Sequence, residues 1–220
     1  MHWTLLNGSP RGRESNTTLL LTRLATGLEA SGATTELLHL AHPADRDRAP
    51  ARYAAAGRFV LGFPLYTDSM PGQVKAFMEA LQPLQGRVGN PPMAFLVQSG
   101  FPEPGQSRAV EQVLERFAER MGSRCLGTIV KGGVEGIRLQ PPWMARGLLG
   151  RVESIGRALG ATDRLDPETL RDLAGPDWFT GWRRPLLSLA TAAWANPFWS
   201  LTLRKHGAHA RRFDRPHERL

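Results

Sequence analysis

Short, mainly apolar runs alternate along the chain with stretches whose apolar residues recur every three or four positions. The short runs predict five β-strands, because a strand buried on both faces reads as a continuous apolar segment. Helical spacing lies between them, and alternating strands and helices predict an α/β fold with a doubly wound, five-stranded parallel sheet. The predicted strands cover residues 3–6, 35–40, 59–63, 94–98 and 126–130.

Helical periodicity is clear in four stretches. The apolar stripes are Leu20, Leu24 and Leu28; Val74, Phe77, Met78 and Leu81; Val110, Val113, Leu114, Phe117 and Met121; and Met144, Leu148, Val152, Ile155 and Leu159.

Two further signals concern the segments between the predicted elements. The gap at residues 42–58 predicts a loop and a short helix, and Asp166 before Pro167 predicts a helix N-terminus.

Composition narrows the class of protein. Hydrophobic residues make up 41% of the 220 residues, which supports a packed core and argues against a disordered chain. The single cysteine, Cys125, excludes an internal disulfide framework and a multi-cysteine metal site. His39 and His42 lack a third ligand, so no metal site is predicted. The segment after Met1 turns polar within a few residues, so we expect a cytoplasmic protein without a signal peptide.

The net charge of +8 is concentrated near the C-terminus. Residues 204–220 hold six Arg or Lys residues against Asp214 and Glu218. Such a tail suits nucleic acid, anionic lipid or an acidic protein, and equally a solvated terminus. We predict no nucleic-acid partner, while anionic lipid, an acidic protein and a solvated terminus stay open.

A polar loop follows the first predicted strand and leads into the first helix. Unpaired backbone N–H groups at a helix N-terminus attract anions, and hydroxyl and amide side chains here add neutral donors. The loop has neither the lysine of a nucleotide-binding P-loop nor three spaced glycines, so it favours a monophosphate. A purely structural role stays open, in which Ser15 or Asn16 only caps the helix and Gly8 only makes the turn. The candidate phosphate ligands are Ser9, Arg11, Ser15, Asn16 and Thr17.

Two more loops are predicted at the same edge of the sheet. They follow the third and fourth strands, and the carboxyl ends of parallel strands are where open α/β sheets bind ligands. Aromatic and thioether groups in them suit a planar ring, and hydroxyl groups and backbone amides suit its polar edge. The candidates are Pro64, Leu65, Tyr66, Thr67, Asp68, Ser69 and Met70 in one loop, and Ser99, Gly100 and Phe101 in the other.

Three phrases in these loops, GSPRGRESNT, PLYTDSMPGQVKAFMEAL and SGFPE, resemble the NAD(P)H-dependent FMN reductase family of flavodoxin-like proteins. The resemblance spans about residues 5–133. It implies that the first loop binds the phosphate of FMN, that residues 64–70 run along the isoalloxazine ring, and that residues 99–101 border its other side. It also implies NAD(P)H as co-substrate, a small-molecule electron acceptor, and a homodimer with the site near its interface. No catalytic side chain is assigned, because hydride transfer to a flavin requires orientation rather than an acid or base.

The domain prediction is a flavodoxin-like FMN-binding domain at residues 1–165 and a Trp-rich, helical and basic extension at 166–220. The apolar segment at 186–203 is interrupted by Asn196 and Pro197 and makes a poor membrane span. It would pack in cis, across a dimer, or on a membrane surface. Two other functions stay open: an FMN-carrying electron-transfer module without nicotinamide activity, and a peripheral membrane or partner-binding protein acting through the extension. The extension holds Trp178, Trp182, Trp194 and Trp199.

Overall fold

The computed structural model describes residues 1–138, 140–181, 185, 189, 197 and 199–215. The chain forms two compact units, Met1–Trp178 and Phe179–Leu220. Within the described ranges, no helix has both the length and the apolar character needed to span a membrane. The predicted division into residues 1–165 and 166–220 as functional modules stays a prediction.

The first unit alternates strands and helices, as the hydrophobic pattern predicts. Every predicted strand is present, with each end within two residues of its predicted position. The elements are β1 (His2–Asn7), α1 (Asn16–Ala30), β2 (Thr34–His39), α2 (Pro43–Ala55), β3 (Arg58–Pro64), α3 (Gly72–Ala80), β4 (Met93–Gln98), α4 (Arg108–Met121), β5 (Cys125–Lys131), α5 (Pro142–Thr162) and α6 (Pro167–Ala174).

The five strands form one parallel sheet in the order β2-β1-β3-β4-β5. This is the flavodoxin-like order, and it confirms the predicted fold class. The chain leaves β1 toward one edge and returns to pair β3 on its other side. The order of the strands therefore reverses at β1, and a crevice opens there at the carboxyl ends of β1 and β3.

Two apolar cores cover the faces of the sheet. One holds α1 and α5 against residues such as Leu5, Val60 and Leu96. The other holds α2, α3 and α4 against the alternate positions of the same strands, among them Leu6 and Leu61. Alternation along each strand sends neighbouring side chains to opposite faces, which explains the continuous apolar runs.

The helical stripes are confirmed except at their margins. Val113 and Met144, which the periodicity placed with the apolar faces, are exposed. The gap between β2 and β3 also differs from the prediction, because α2 fills it almost completely instead of forming a short helix. Pro43 occupies the first turn of α2, where a backbone N–H would have no partner within the helix, so its absence does not destabilise the helix. Ala49 and Tyr53 lie one turn apart and are both buried, so they anchor α2 to the core.

The helices α1 and α5 cross at glycines. A Cβ on Gly27 would stand 2.0 Å from the carbonyl oxygen of Glu153, and one on Gly156 would stand 2.3 Å from that of Leu24. The two backbones therefore touch, and only glycine allows that approach. This crossing fixes the position of α1, whose N-terminus borders the crevice.

The chain after α5 turns back onto the edge strand β5. The side chain of Asp166 accepts a hydrogen bond from the backbone N–H of Thr169 at 2.8 Å, which confirms the predicted start of α6. Leu165 lies against Gly127 of β5, so this segment covers the outer edge of the sheet.

In the second unit, residues 199–205 are helical and a 3₁₀ turn follows at His209–Arg211. The guanidinium of Arg212 lies 4.6 Å from the ring centre of Phe213. The segment predicted to pack or to lie on a membrane falls mostly outside the described residues, as do Trp182, Trp194 and Phe198.

Candidate functional site

Asn7, the last residue of β1, organises the loop that follows it. Its Nδ2 lies within hydrogen-bond distance of the Gly12 carbonyl, at 3.0 Å, and of Thr18 Oγ1, at 2.8 Å. Its Oδ1 accepts from the backbone N–H of Ser9 at 2.8 Å. Gly12 turns the chain with a φ of +56°, a conformation that glycine adopts without strain. One amide side chain therefore ties the loop to the start of α1.

Gly8, which the sequence offered as the turn residue, has a different role. A Cβ at this position would stand 2.2 Å from Val74 Cγ2 and 3.1 Å from Phe63 Cβ. The carbonyl oxygen of Gly8 also accepts from Gln73 Nε2 at 2.9 Å. Gly8 is therefore needed for close packing of this loop against β3 and α3.

Ser15 caps α1 and leaves the first helical N–H groups open. Its Oγ accepts from the Thr18 backbone N–H at 3.1 Å, so the structural role that the sequence left open is present. The N–H groups of Asn16 and Thr17 have no hydrogen-bond partner among the described residues. Two unpaired donors at the positive end of a helix suit an anion.

The loop after β3 makes a tight two-residue turn at Thr67 and Asp68. The backbone N–H of Tyr66 donates to the Ser69 carbonyl at 2.8 Å, and that of Ser69 donates to the Tyr66 carbonyl at 3.0 Å. Thr67 has φ +49° and Asp68 has φ +58°. Positive φ at both central residues is the condition for a type I′ turn, and it is uncommon for a β-branched residue.

The loop after β4 is held by the segment that follows β5. The backbone N–H of Gly133 donates to the Phe101 carbonyl at 2.7 Å, and that of Val134 donates to the Ser99 carbonyl at 2.9 Å. The side-chain amide of Asn16 then donates to the Val134 carbonyl at 3.0 Å. Two backbone hydrogen bonds and one from the Asn16 side chain therefore join the start of α1 to the loops after β4 and β5.

These loops border an open cleft at the carboxyl end of the sheet, with a volume of about 300 Å³ that includes the solvent at its mouth. Part of the predicted set lines it, and the remainder lies beside it. Ser15 and Thr17 make structural hydrogen bonds, Met70 packs against the core that α3 covers, and Thr67, Asp68, Ser69 and Phe101 are exposed and do not line the cleft. The predicted residues that line the cleft are Ser9, Arg11, Asn16, Pro64, Leu65, Tyr66, Ser99 and Gly100.

Two lining residues were missed by the sequence analysis, Gln98 and Glu135. Gln98 ends β4, and its Nε2 donates to Thr17 Oγ1 at 3.3 Å. Its position at a strand end was a usable signal, since carboxyl ends of parallel strands face the crevice. Glu135 has no comparable signal, because only the path of the chain after β5 brings it against Gly100.

The charges of the cleft are balanced. Arg11 Nη1 lies 3.4 Å from Glu135 Oε1, and these are the only charged residues among the described residues that line the cleft.

The imidazole of His39, at the end of β2, does not line the cleft but contacts Asn7. Burial and then the nearby Arg13 cation lower the pKa of His39 below its usual value. The imidazole of His39 is therefore held neutral.

A sequence model of the NADPH-dependent FMN reductase family matches residues 1–131. The chain belongs to this family. The reductase is thus an NAD(P)H-dependent oxidoreductase whose cofactor is FMN. No curated protein matches this chain.

Solved structures share the fold of the reductase at low sequence identity. An apo NADH:FMN oxidoreductase is 20% identical and has a TM-score of 0.54, over 76% of this chain and 92% of that one. An NAD(P)H:quinone oxidoreductase from Methanothermobacter marburgensis is 19% identical and has a TM-score of 0.55, over 72% of this chain and 96% of that one. An azoreductase from Bacillus anthracis is 13% identical and has a TM-score of 0.53, over 72% of this chain and 99% of that one.

The donors of the cleft fit FMN. Two unpaired helical N–H groups, the Ser9 hydroxyl and the Arg11 guanidinium suit a phosphate monoester. The exposed ring of Tyr66 and the apolar side chains of Pro64 and Leu65 suit a flat heteroaromatic ring.

Proposed function

We propose that the reductase holds FMN in this cleft and passes hydride from NAD(P)H to a quinone, a flavin or a similar small acceptor. Ser9 and Asn16 at the N-terminus of α1 would hold the phosphate, and residues 64–70 and 99–101 would border the ring. FMN held there would supply the hydride chemistry between the nicotinamide and the acceptor. The protein supplies binding and orientation.

One observation supports this assignment above the others: a helix N-terminus and an aromatic wall border the same cleft. Asn16, whose backbone N–H is unpaired among the described residues, and Tyr66, whose ring is exposed, both line it. A free phosphate needs no aromatic wall, and an apolar ligand needs no helix N-terminus. A phosphorylated flat molecule uses both.

No side chain is assigned as a catalytic acid or base. Ser99 Oγ donates to the Phe101 carbonyl at 3.1 Å, and the backbone of this loop is fixed by the segment after β5. These contacts keep the cleft wall in one conformation, so that the loop orients the bound ring. We assign Ser99, Gly100 and Phe101 to that positioning role.

The test is a titration of the purified apoprotein with FMN, followed by anaerobic addition of NADPH or NADH and then of menadione. We expect the flavin absorbance to bleach on addition of a nicotinamide and to return on addition of menadione. Absence of bleaching with both nicotinamides would leave an FMN-carrying module as the better description. Absence of FMN binding would refute the assignment of the cleft.

Substitutions in the anion site provide a second test with matched controls. Ser9→Ala removes a hydroxyl that lines the cleft, whereas Thr26→Ala removes an exposed hydroxyl from the middle of α1. We expect Ser9→Ala to weaken FMN binding by about threefold to tenfold, the usual effect of losing one neutral hydrogen bond. Thr26→Ala should leave FMN affinity unchanged.

We also propose that the reductase is a homodimer in which the cleft lies near the interface. Tyr66, which lines the cleft, and Phe101, which follows the lining residue Gly100, have 45% and 53% of their surfaces exposed, and exposed aromatic residues suit a partner surface. Light scattering on the eluted protein checks this, with a dimer mass expected for the native chain. The cytoplasmic location stays a prediction.

A further inference from the structure

Arg11 and Glu135 form an ion pair at the mouth of the cleft. Their charged atoms are 3.4 Å apart, and their side chains are 61% and 54% exposed. An exposed pair of this kind contributes little to folding, since water screens it and both side chains are flexible. It therefore has no strong structural reason to be there.

The backbone beneath the pair is fixed, although the side chains are not. Glu135 follows Val134, whose N–H and carbonyl are both hydrogen-bonded, to the Ser99 carbonyl and to Asn16 Nδ2 respectively. A Cβ on Gly100 would stand 3.1 Å from Glu135 Cβ, so the start of this side chain lies directly against the loop after β4. Glu135 is consequently held beside the cleft whichever group its carboxylate contacts.

In this pair Glu135 neutralises the positive charge of Arg11, which a bound phosphate would otherwise contact. Among the described residues lining the cleft, Arg11 is the sole cation and Glu135 the sole anion. A phosphate arriving at the N-terminus of α1 has to draw Arg11 away from Glu135. A phosphate monoester carries about −1.5 to −2 charges near neutral pH and a carboxylate carries one, so the exchange of Arg11 toward the phosphate is favourable. The released carboxylate then stays close to the phosphate and repels it.

We propose that Glu135 is a specificity-determining residue, which competes with the flavin phosphate for Arg11 and so limits the preference for FMN over unphosphorylated riboflavin. This role depends on the proposed function, since it presumes that FMN occupies the cleft. The consequence is a cofactor that exchanges readily. Removing the carboxylate should leave Arg11 free for the phosphate and make FMN binding tighter.

The test compares dissociation constants for FMN and for riboflavin, measured by quenching of flavin fluorescence. The variants are Glu135→Gln, Arg11→Gln and the double variant, with Glu14→Gln as the matched control. Glu14 is an exposed carboxylate in the turn before α1 and does not line the cleft. The same loss of one negative charge is thus made at a residue that lines the cleft and at a residue of the neighbouring turn that does not line it.

We expect Glu135→Gln to tighten FMN binding by about threefold to tenfold and to leave riboflavin unchanged, the scale of one screened charge near a phosphate. Arg11→Gln should weaken FMN binding by about tenfold and leave riboflavin unchanged. In the double variant the gain from Glu135→Gln should fall to half or less, because the competition needs Arg11. Raising KCl from about 20 mM to about 500 mM should shrink the effect of Glu135→Gln.

Three outcomes would overturn the proposal. If FMN binds but Glu135→Gln behaves like Glu14→Gln, Glu135 has no local role and the proposed function stands. If the effect of Glu135→Gln is as large without Arg11 as with it, simple repulsion replaces competition. If neither flavin binds the native protein, the proposed function fails and the role of Glu135 fails with it.

Discussion

Asn7 Nδ2 lies 3.1 Å from His39 Nδ1, so the ends of β1 and β2 are joined by a side-chain contact next to the loop that follows β1. The amide orientation is defined, since Asn7 Oδ1 accepts from the Ser9 backbone N–H. An amide nitrogen only donates, so a proton on His39 Nδ1 would set two donors against each other at this contact, and the imidazolium form of the ring is disfavoured. The loop around Ser9 thus depends on the protonation state of a buried imidazole.

The first prediction is a loss of stability in mild acid. Burial is the main cause that lowers the pKa of His39 below 6.5, with Arg13 and His42 acting the same way and Asp45 opposing them. The unfolded chain therefore takes up this proton at higher pH than the folded one. The contribution of a neutral His39 is complete above the unfolded pKa of about 6.5 and is lost as pH falls through the lower, folded pKa.

The check is the free energy of unfolding by urea between about pH 8 and about pH 5. In His39→Asn, the Oδ1 atom replaces Nδ1 as an acceptor and does not titrate, so we expect a flatter pH profile than that of the native protein. His42→Gln is the control, because His42 is exposed and makes no cap hydrogen bond with its side chain. Equal slopes for His39→Asn and the native chain would contradict the prediction.

The strands and the loop positions followed from the sequence because both depend on local patterns. Apolar runs mark strands such as β3 and β4 wherever a sheet is covered on both faces, and the polar residues after them mark the carboxyl edge. The same reasoning could not separate Ser9, which lines the cleft, from Ser15, which caps α1. Both are hydroxyls in one loop, and only the turn at Gly12 directs them differently.

Other features depend on contacts between distant parts of the chain. Glu135 lines the cleft because Val134 is hydrogen-bonded to Ser99 and Asn16. These contacts join residues far apart in the sequence, so no local hydrophobic pattern predicts them. The length of α2 was underestimated because charged residues and Pro50 make its propensity poor, while burial of Tyr53 stabilises it.

The second prediction concerns the glycine crossing of α1 and α5. Gly27→Ala and Gly156→Ala each place a methyl group where a carbonyl oxygen already lies, at 2.0 Å and 2.3 Å respectively. Overpacking of this kind should cost about 1–3 kcal/mol of unfolding free energy. Because α1 carries the proposed anion site, FMN affinity should also fall in the variants that still fold.

Gly147→Ala, on the same helix α5, is the matched control. A Cβ at that position meets nothing within 4 Å. Replacing a helical glycine by alanine in open space should stabilise the protein by about 0.5–1 kcal/mol. Urea unfolding of the three variants is sufficient, and destabilisation by Gly147→Ala equal to that by Gly27→Ala would contradict the close-crossing explanation.

The third prediction concerns the hairpin at the cleft rim. Thr67, a β-branched residue, has φ +49° and bears a steric cost that asparagine largely avoids. Thr67→Asn should therefore raise the unfolding free energy by about 1 kcal/mol, which corresponds to a rise in melting temperature of about 2–4 °C. Ser69→Asn, just outside the two central positions, should have little effect. A melting temperature for Thr67→Asn at or below that of the native protein would mean that the turn is not strained.

The fourth prediction concerns Asp163, which joins three elements at the opposite end of the sheet from the cleft. Its carboxylate accepts from Arg58 Nε at 2.7 Å and Arg58 Nη2 at 2.8 Å, and it also contacts Arg124. Hydrogen bonding to Arg58 is the main cause that lowers the pKa of Asp163 below 3.8. Asp163 also ends α5 with φ +55°, a conformation that asparagine tolerates.

Asp163→Asn should therefore keep the backbone and remove only the charge, at a cost of about 1–3 kcal/mol near neutral pH. Since the folded pKa is lowered, the stabilisation is complete above the unfolded pKa and disappears as pH falls through the folded one. The difference between native and variant proteins should thus shrink in acid. Asp172→Asn, an exposed carboxylate on α6, should cost little at any pH. A difference for Asp163→Asn that persists unchanged in acid would show that shape, and not charge, explains its effect.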